Sequence, residues 1–274
     1  MKKNYKSKKI IISSIIVILS LLLLYSTVKI IKWMVDSNKA NNQIKDLQKN
    51  TPITNRKDSK NTEIFNQNEN IPKTDPYWDY IKMDMMNVDF SKLKKTNKDV
   101  IGWIKLNGTN INYPFVQTNN NKYYLTHSFD KTYNSAGWVF LDYRNNGINN
   151  KNTIIYAHGR TDETMFGSLK KVLTKKWFNN KENYIIKIST ETENTLWQIF
   201  SVYRIPTTND YLQTEFNSDD EYQRFIDMLL KRSSYNFNSY VNENDNIVTL
   251  STCYNNSDKL VVHAKLIKKE KRKM

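Results

Sequence analysis

The sequence predicts a mostly β domain, a barrel or a sandwich, held behind a single membrane-crossing helix. Three observations predict it. Residues 10–28 (IIISSIIVILSLLLLYSTV) form an uncharged run of nineteen, the length at which a helix crosses a hydrocarbon core. From Val100 onward, short β-branched and aromatic runs alternate with Asn, Gly and Asp clusters, which is strand-and-turn chemistry. The chain has 274 residues, 39% hydrophobic and 12% aromatic, enough to bury a sizeable core.

Taken in order, residues 1–9 are a basic tail and residues 10–31 the membrane anchor. Lys2, Lys3, Lys6, Lys8 and Lys9 precede the apolar run and only Lys29 and Lys32 follow closely, so the positive-inside rule predicts a cytoplasmic N-terminus and an extracellular domain. The run is long for a cleaved signal peptide and no small-x-small site follows it cleanly, which favours an uncleaved anchor. Residues 32–74, rich in Asn, Lys, Gln, Asp and Thr, read as an extracellular stalk. Val35–Gln48 extends it as helix, while NTEIFNQNENIPKT has neither period nor apolar weight. The folded domain is expected over 75–267, and 268–274 form a basic tail.

Inside that domain, DPYWDYIKMDMMNVDF places Tyr77, Tyr80, Ile81 and Met85 at helical spacing and predicts a short docking helix. The expected strands are 102–105, 113–117, 137–141, 153–158, 184–189, 195–205, 247–251 and 260–267. Their spacing suits a barrel or sandwich better than parallel βαβ units. One helix interrupts them: Ser218 and Asp219 cap EYQRFIDMLLKRSS, with Phe225, Met228 and Leu229 on one face.

The formal net charge is +15. Much of the excess sits at the two ends, and no basic stripe interleaved with aromatics marks a groove for bases, so nucleic acid is not an expected partner. Three histidines and one cysteine offer no zinc spacing, and no cofactor is expected. A lone cysteine in an exported domain has no internal disulfide partner. That raises the prospect of a reactive thiol against a buried, inert one.

Cys253 ends the segment NIVTLSTC, at the C-terminal end of a strand, where a loop can open it to substrate. His158 ends another strand, NTIIYAHGR, and Gly159 frees the backbone to turn there. A thiol needs a base to become a thiolate and an acid for the leaving amine, and one imidazole serves both needs. His127, in YYLTHSF, reads as a loop residue, and His263, in LVVHAKL, as a packed or half-exposed strand residue.

The segments NTIIYAHG, TLSTC and LVVHAKL together resemble those of the sortases, specifically class B. The resemblance continues through VDFSKLKKTNKDVIGWIKLNGTNINYPFVQ, NKYYLTHSF, GWVFLDYRN, MFGSL and DYLQTEF, covering about residues 75–267 in family order. It implies a closed β-barrel with N-terminal helices, a class B helix inserted before the last two strands, and a single transmembrane helix ahead of them. It implies a cysteine transpeptidase that cuts a C-terminal sorting motif after its threonine, holds the acyl group on Cys253, and passes it to an amine of a cell-wall precursor or a pilin. In that scheme His158 is the general acid and base. Asn121, Leu125, Tyr156, Thr207, Tyr211, Leu212 and Ser251 line the groove for the sorting peptide. The partners so implied are secreted proteins bearing the motif, the peptidoglycan amine or pilin lysine, and the membrane around the anchor.

One position departs from the family. Sortases place an oxyanion-stabilising arginine at the start of the final strand, where this chain has Lys259, and the loop CYNNSDK is shorter than class B usually shows. Lysine brings positive charge without the planar fork of arginine. Three readings stay open: Lys259 substitutes, a guanidinium such as Arg160 or Arg204 reaches in, or the protein is a slow or inactive relative. The last, a silent barrel that binds peptide or wall polymer, and a hydrolytic cysteine peptidase are the rival functions.

Overall fold

The computed structural model describes residues 2–65 and 71–272, with side chains from residue 9 onward. Residues 66–70 of the expected stalk and 273–274 of the expected tail lie outside the described residues.

Helix α1 (Lys2–Asn50) carries the apolar run and continues unbroken beyond it. No glycine or proline interrupts it, so nothing in the backbone chemistry ends the helix at the edge of the run. It is long and apolar enough to cross a membrane. Its large apolar side chains from Ile10 to Val35 are exposed, and then Asp36, Ser37, Ala40 and Ile44 are buried. Those four share one face at helical spacing, and that face lies on the domain.

The domain's centre is a closed barrel of eight strands. They are β4 (Val100–Leu106), β5 (Asn112–Val116), β6 (Phe140–Leu141), β7 (Asn152–Tyr156), β8 (Ile185–Thr190), β9 (Glu193–Pro206), β10 (Ile247–Cys253) and β11 (Asp258–Lys271). The ladder runs β10-β7-β6-β5-β4-β8-β9-β11, and pairing of β10 with β11 closes it. Closure removes the sheet edges that would otherwise invite pairing with other chains, except where the end of β11 runs on past β10. Trp103, Phe115, Trp197, Leu250 and Val262 fill the main core and are buried outright.

Ahead of the barrel, β1 (Ile53–Arg56) pairs antiparallel with β3 (Met85–Val88), and β2 (Thr62–Ile64) adds antiparallel to the end of β11. Short helices α2 (Tyr77–Tyr80), α3 (Ser91–Thr96) and α4 (Lys175–Phe178) pack around the sheet. Helix α5 (Asp219–Arg232) lies between β9 and β10 in the chain. Ser218 caps it as expected, its side chain accepting from the Glu221 N–H. Tyr222, Phe225, Ile226 and Leu229 of α5 join Phe200, Tyr203, Tyr211, Ile247 and Val261 in a second core on the outside of the barrel. Each such fully buried side chain contributes about 1.5–3 kcal/mol by burial. Met228, expected on that face, is only partly buried.

The expected closed barrel with an inserted helix is therefore present, and three smaller expectations need correction. Segment 32–74 is more than a solvated stalk, since it supplies the docking face of α1 and strands β1 and β2. The last strand runs to Lys271, so the expected boundary at 267 cuts through β11. The physical reason is visible at Lys268, whose side chain is fully buried and donates to Asp58 Oδ1 (2.7 Å) and to the carbonyls of Ile81 (2.7 Å) and Met83 (2.6 Å). A lysine read as tail charge thus pins the N-terminal layer to the barrel. The docking helix at Tyr77 is only four residues, and Met85 lies in β3. Asp75 Oδ1, accepting from Tyr77 N (2.8 Å), starts that turn as an Asx motif.

Candidate active site

Cys253 is the last residue of β10 and its thiol is exposed. Two neighbouring strands bring groups to it. On one side β11 pairs antiparallel with β10, in a register that sets Lys259 directly opposite Cys253. Across that pair, Lys259 Nζ donates to Cys253 Sγ at 3.1 Å. The register is held by the tight turn between them: Tyr254 N donates to Asp258 O (2.8 Å), and Asn255 Oδ1 accepts from Ser257 N (2.9 Å) and Asp258 N (2.7 Å).

On the other side β7 runs parallel to β10, with Ser251 opposite Tyr156. One residue further, Thr252 Oγ1 donates to Ala157 O at 2.7 Å. The next residue on that segment is His158, and the next on β10 is Cys253. The backbones stay close past the end of β7, because a Cβ placed on Gly159 would stand 1.9 Å from the Cys253 carbonyl oxygen. Only glycine fits there. Strand β7 itself ends at Tyr156, short of the expected His158.

The partly buried His158 ring is anchored through Nε2, 2.8 Å from Leu125 O. A carbonyl oxygen only accepts, so Nε2 carries the proton and Nδ1 is left as the nitrogen at which a proton can come and go. The other two histidines stay out of the site. His127 stacks on Tyr123 in the loop before β6. His263 is fully buried, Nδ1 2.8 Å from Thr249 Oγ1 and Nε2 2.9 Å from Tyr203 OH, and burial, with Arg232 nearby, pushes it down to about 3.

The two arginines weighed as substitutes for the family's arginine are both engaged. Arg160 donates to Asp162, Thr164 and Ser37 and stacks over Trp33. Arg204 pairs with Asp258, and its guanidinium lies 4.3 Å over the Tyr254 ring. Among the described residues, Lys259 is the basic side chain with a hydrogen bond to the thiol.

Beside this centre, Asn121, Tyr156 and Leu212 line an open pocket together with Arg144, Asn209, Asp210 and Gln213. Tyr211 and Ser251 are both buried, joined by a 3.0 Å bond between Tyr211 OH and Ser251 Oγ, so they stand behind the pocket. Thr207 is tied to Ser257 O through both its N–H and its hydroxyl, each at 2.9 Å. Leu125 meets the site through its carbonyl. The organiser that the sequence reading missed is Asp142, its side chain fully buried, which accepts from Asn121 Nδ2 (3.0 Å), Tyr156 OH (2.9 Å) and Arg144 Nε (2.9 Å). Burial opposes its charge, but the Arg144 side chain and N–H, with Tyr156, outweigh that and hold the carboxyl below its ordinary range. The signal was an Asp with Arg two residues on, at the end of a strand.

A profile of the Sortase domain matches residues 104–267, a span that contains Cys253, His158 and Lys259. The chain belongs to the sortase family. Its relatives place this sortase in class B: it is 39% identical to Sortase B of Staphylococcus aureus over 184 residues, 65% of this chain and 75% of that one. It is 36% identical to Sortase B of Listeria monocytogenes over 182 residues, 65% of this chain and 73% of that one. Among solved structures it is similar to sortase B from B. anthracis in complex with AAEK1, with a TM-score of 0.68 at 31% identity, covering 86% of this chain and 99% of the other. That coverage exceeds the span 75–267. Likeness of this sortase to class B structures therefore takes in part of the segment whose composition reads as stalk.

Proposed function

We propose that this sortase is a cysteine transpeptidase that cleaves a C-terminal sorting motif after its threonine and transfers the acyl group to an amine of a cell-wall precursor or a pilin. The carrying observation is the 3.1 Å contact of Lys259 Nζ with Cys253 Sγ, with His158 on the segment that follows β7 on the other side of β10. In the first half-reaction the Cys253 thiol passes its proton to His158 Nδ1 and Sγ attacks the threonine carbonyl carbon. Negative charge develops on its oxygen beside the Lys259 ammonium, where a fixed positive charge stabilises the transition state more than the ground state. His158 gives a proton to the departing amide nitrogen, the C–N bond breaks, and a thioester remains. In the second half-reaction the acceptor amine attacks the thioester, His158 takes its proton, the thiolate leaves, and a new amide bond is formed.

Asn121, Tyr156 and Leu212 take the sorting peptide along the open pocket, with Arg144 and Gln213 beside them. Leu125, Thr207, Tyr211 and Ser251 support its walls. Helix α1 anchors the enzyme in the membrane with the barrel outside.

The test incubates the full chain in detergent or nanodiscs with a panel of fluorogenic sorting peptides, with and without an amine acceptor, and follows Cys253 by mass spectrometry. A thioacyl adduct that the amine discharges supports transpeptidation. An adduct discharged equally by water alone points to a peptidase, and no adduct with any peptide sinks both.

A further inference from the structure

We infer that the barrel is seated with its active-site end against the bilayer surface, the loop from His127 to Ser135 lying at the level of the lipid headgroups. This rests on the reading of α1 as a membrane-crossing helix.

The first support is the absence of a hinge. Helix α1 is continuous from the apolar run into the domain. Its exposed apolar side chains end at Val35 and its buried docking face starts at Asp36. A helix rises about 1.5 Å per residue, so the barrel meets α1 within a turn of the last side chain suited to lipid.

The second support is what α1 meets there. Asp36 Oδ2 accepts from Ser135 N (3.2 Å), Asn134 Nδ2 donates to Asp36 O (3.1 Å), Lys39 Nζ donates to Thr132 Oγ1 (2.9 Å), and Phe129 N donates to Gln43 Oε1 (3.2 Å). The His127–Ser135 loop thus clasps the helix where it emerges. Arg160 closes the clasp from another segment, donating to Ser37 Oγ with its guanidinium 5.5 Å over Trp33. Both segments belong to the active-site end. Leu125, two residues before the loop, holds His158 through its carbonyl, and Arg160 is two residues after His158.

The third support is the chemistry of the face. Trp33 is 41% exposed and Tyr133 58% exposed, and Lys32 Nζ lies 5.4 Å over the Tyr133 ring. Tryptophan and tyrosine collect at headgroup level, and lysines there extend their charge toward the phosphates. The opposite end of the barrel lies one length of β9 away, fourteen residues. At about 3.3 Å per residue that is roughly 45 Å along the strand.

The experiment uses the full chain with Cys253→Ser, so that an introduced cysteine is the single thiol, reconstituted in phospholipid nanodiscs. A fluorophore is attached at Tyr133→Cys, at Thr192→Cys in the β8–β9 turn, or at Leu22→Cys in α1. Lipids with a nitroxide on the headgroup should quench the label at position 133 several-fold more than the label at 192, and lipids with a nitroxide in the acyl chain should quench the label at 22. Equal quenching at 133 and 192, with 22 quenched, overturns the seating and leaves the membrane helix standing. An unquenched label at 22 overturns the membrane reading and the seating with it.

Discussion

Lys259 Nζ donates to Cys253 Sγ at 3.1 Å, across a pair of antiparallel strands whose register sets Lys259 directly opposite Cys253. In the proposed mechanism an ammonium in that position brings charge to the oxyanion without the planar fork of an arginine. Lys259→Met should lower kcat/KM about 10²-fold, the size of a lost oxyanion donor. Lys259→Arg should keep most of the rate. Steady-state cleavage of a fluorogenic sorting peptide measures both, and an unimpaired Lys259→Met enzyme removes Lys259 from the mechanism.

His158 and Cys253 should each be indispensable, in different ways. Cys253→Ala should give no thioacyl adduct. His158→Ala should reduce adduct formation by about 10²–10⁴-fold, the range for losing a general acid and base. Intact-mass spectrometry after a timed pulse of peptide separates them, and His158→Ala acylating at the normal rate refutes its assigned role.

Gly159 is the tightest backbone contact of the site, with a Cβ 1.9 Å from Cys253 O. Gly159→Ala forces the ends of β7 and β10 apart. Overpacking of this kind costs about 1–3 kcal/mol, and in a domain of this size each kcal/mol lowers Tm by about 2–4 °C. Thermal unfolding should show that loss, together with a fall in kcat greater than the fall in folded protein. A Gly159→Ala enzyme with unchanged Tm and kcat contradicts the contact.

His263 makes stability fall in mild acid. Its ring is neutral in the fold, pushed down to about 3, whereas an unfolded histidine titrates near 6.5. Between those values the unfolded chain binds a proton that the folded chain does not, so stability rises with pH through that window and declines as pH drops below about 6.5. The slope from this group approaches ~1.4 kcal/mol per pH unit. Chemical denaturation at pH 7 and pH 5 should show a smaller drop for His263→Gln than for the parent chain, and equal drops would exclude His263 as the cause.

The N-terminal layer should be needed for full stability. A chain shortened to begin at Asp75 loses the α1 docking face, both β1 and β2, and the partners of Lys268 and Glu270 in Asp58 and Arg56. It should melt several degrees below a chain beginning at Asp36, since about 2–4 °C follows each kcal/mol. Equal Tm values would return the segment to the status of a stalk.

Much of this was legible in the chain. The strands over 102–105, 113–117, 184–189, 195–205 and 247–251 lie within the observed β4, β5, β8, β9 and β10 apart from end residues, because alternation of β-branched and aromatic residues against turn clusters is a local signal. So is the Ser218 cap. The segment around Glu63 was not legible: its polar residues carry no period, and they become a strand because β11 offers an unpaired edge at Lys268–Glu270. Asp142 was missed for a similar reason: Arg144 is two residues on, but the donors Asn121 and Tyr156 become its neighbours only in the fold.

The sequence by itself determined a β-rich domain behind an apolar helix and singled out Cys253 and His158, because periodicity, strand-end position and the chemistry of a lone thiol reside in neighbouring residues. Only the tertiary structure decided how Lys259 stands to the thiol, that Arg160 and Arg204 are engaged elsewhere, and that α1 is fastened to the active-site end of the barrel. Strand register and helix docking set those relations, and both arise from pairing and burial between segments far apart in the chain.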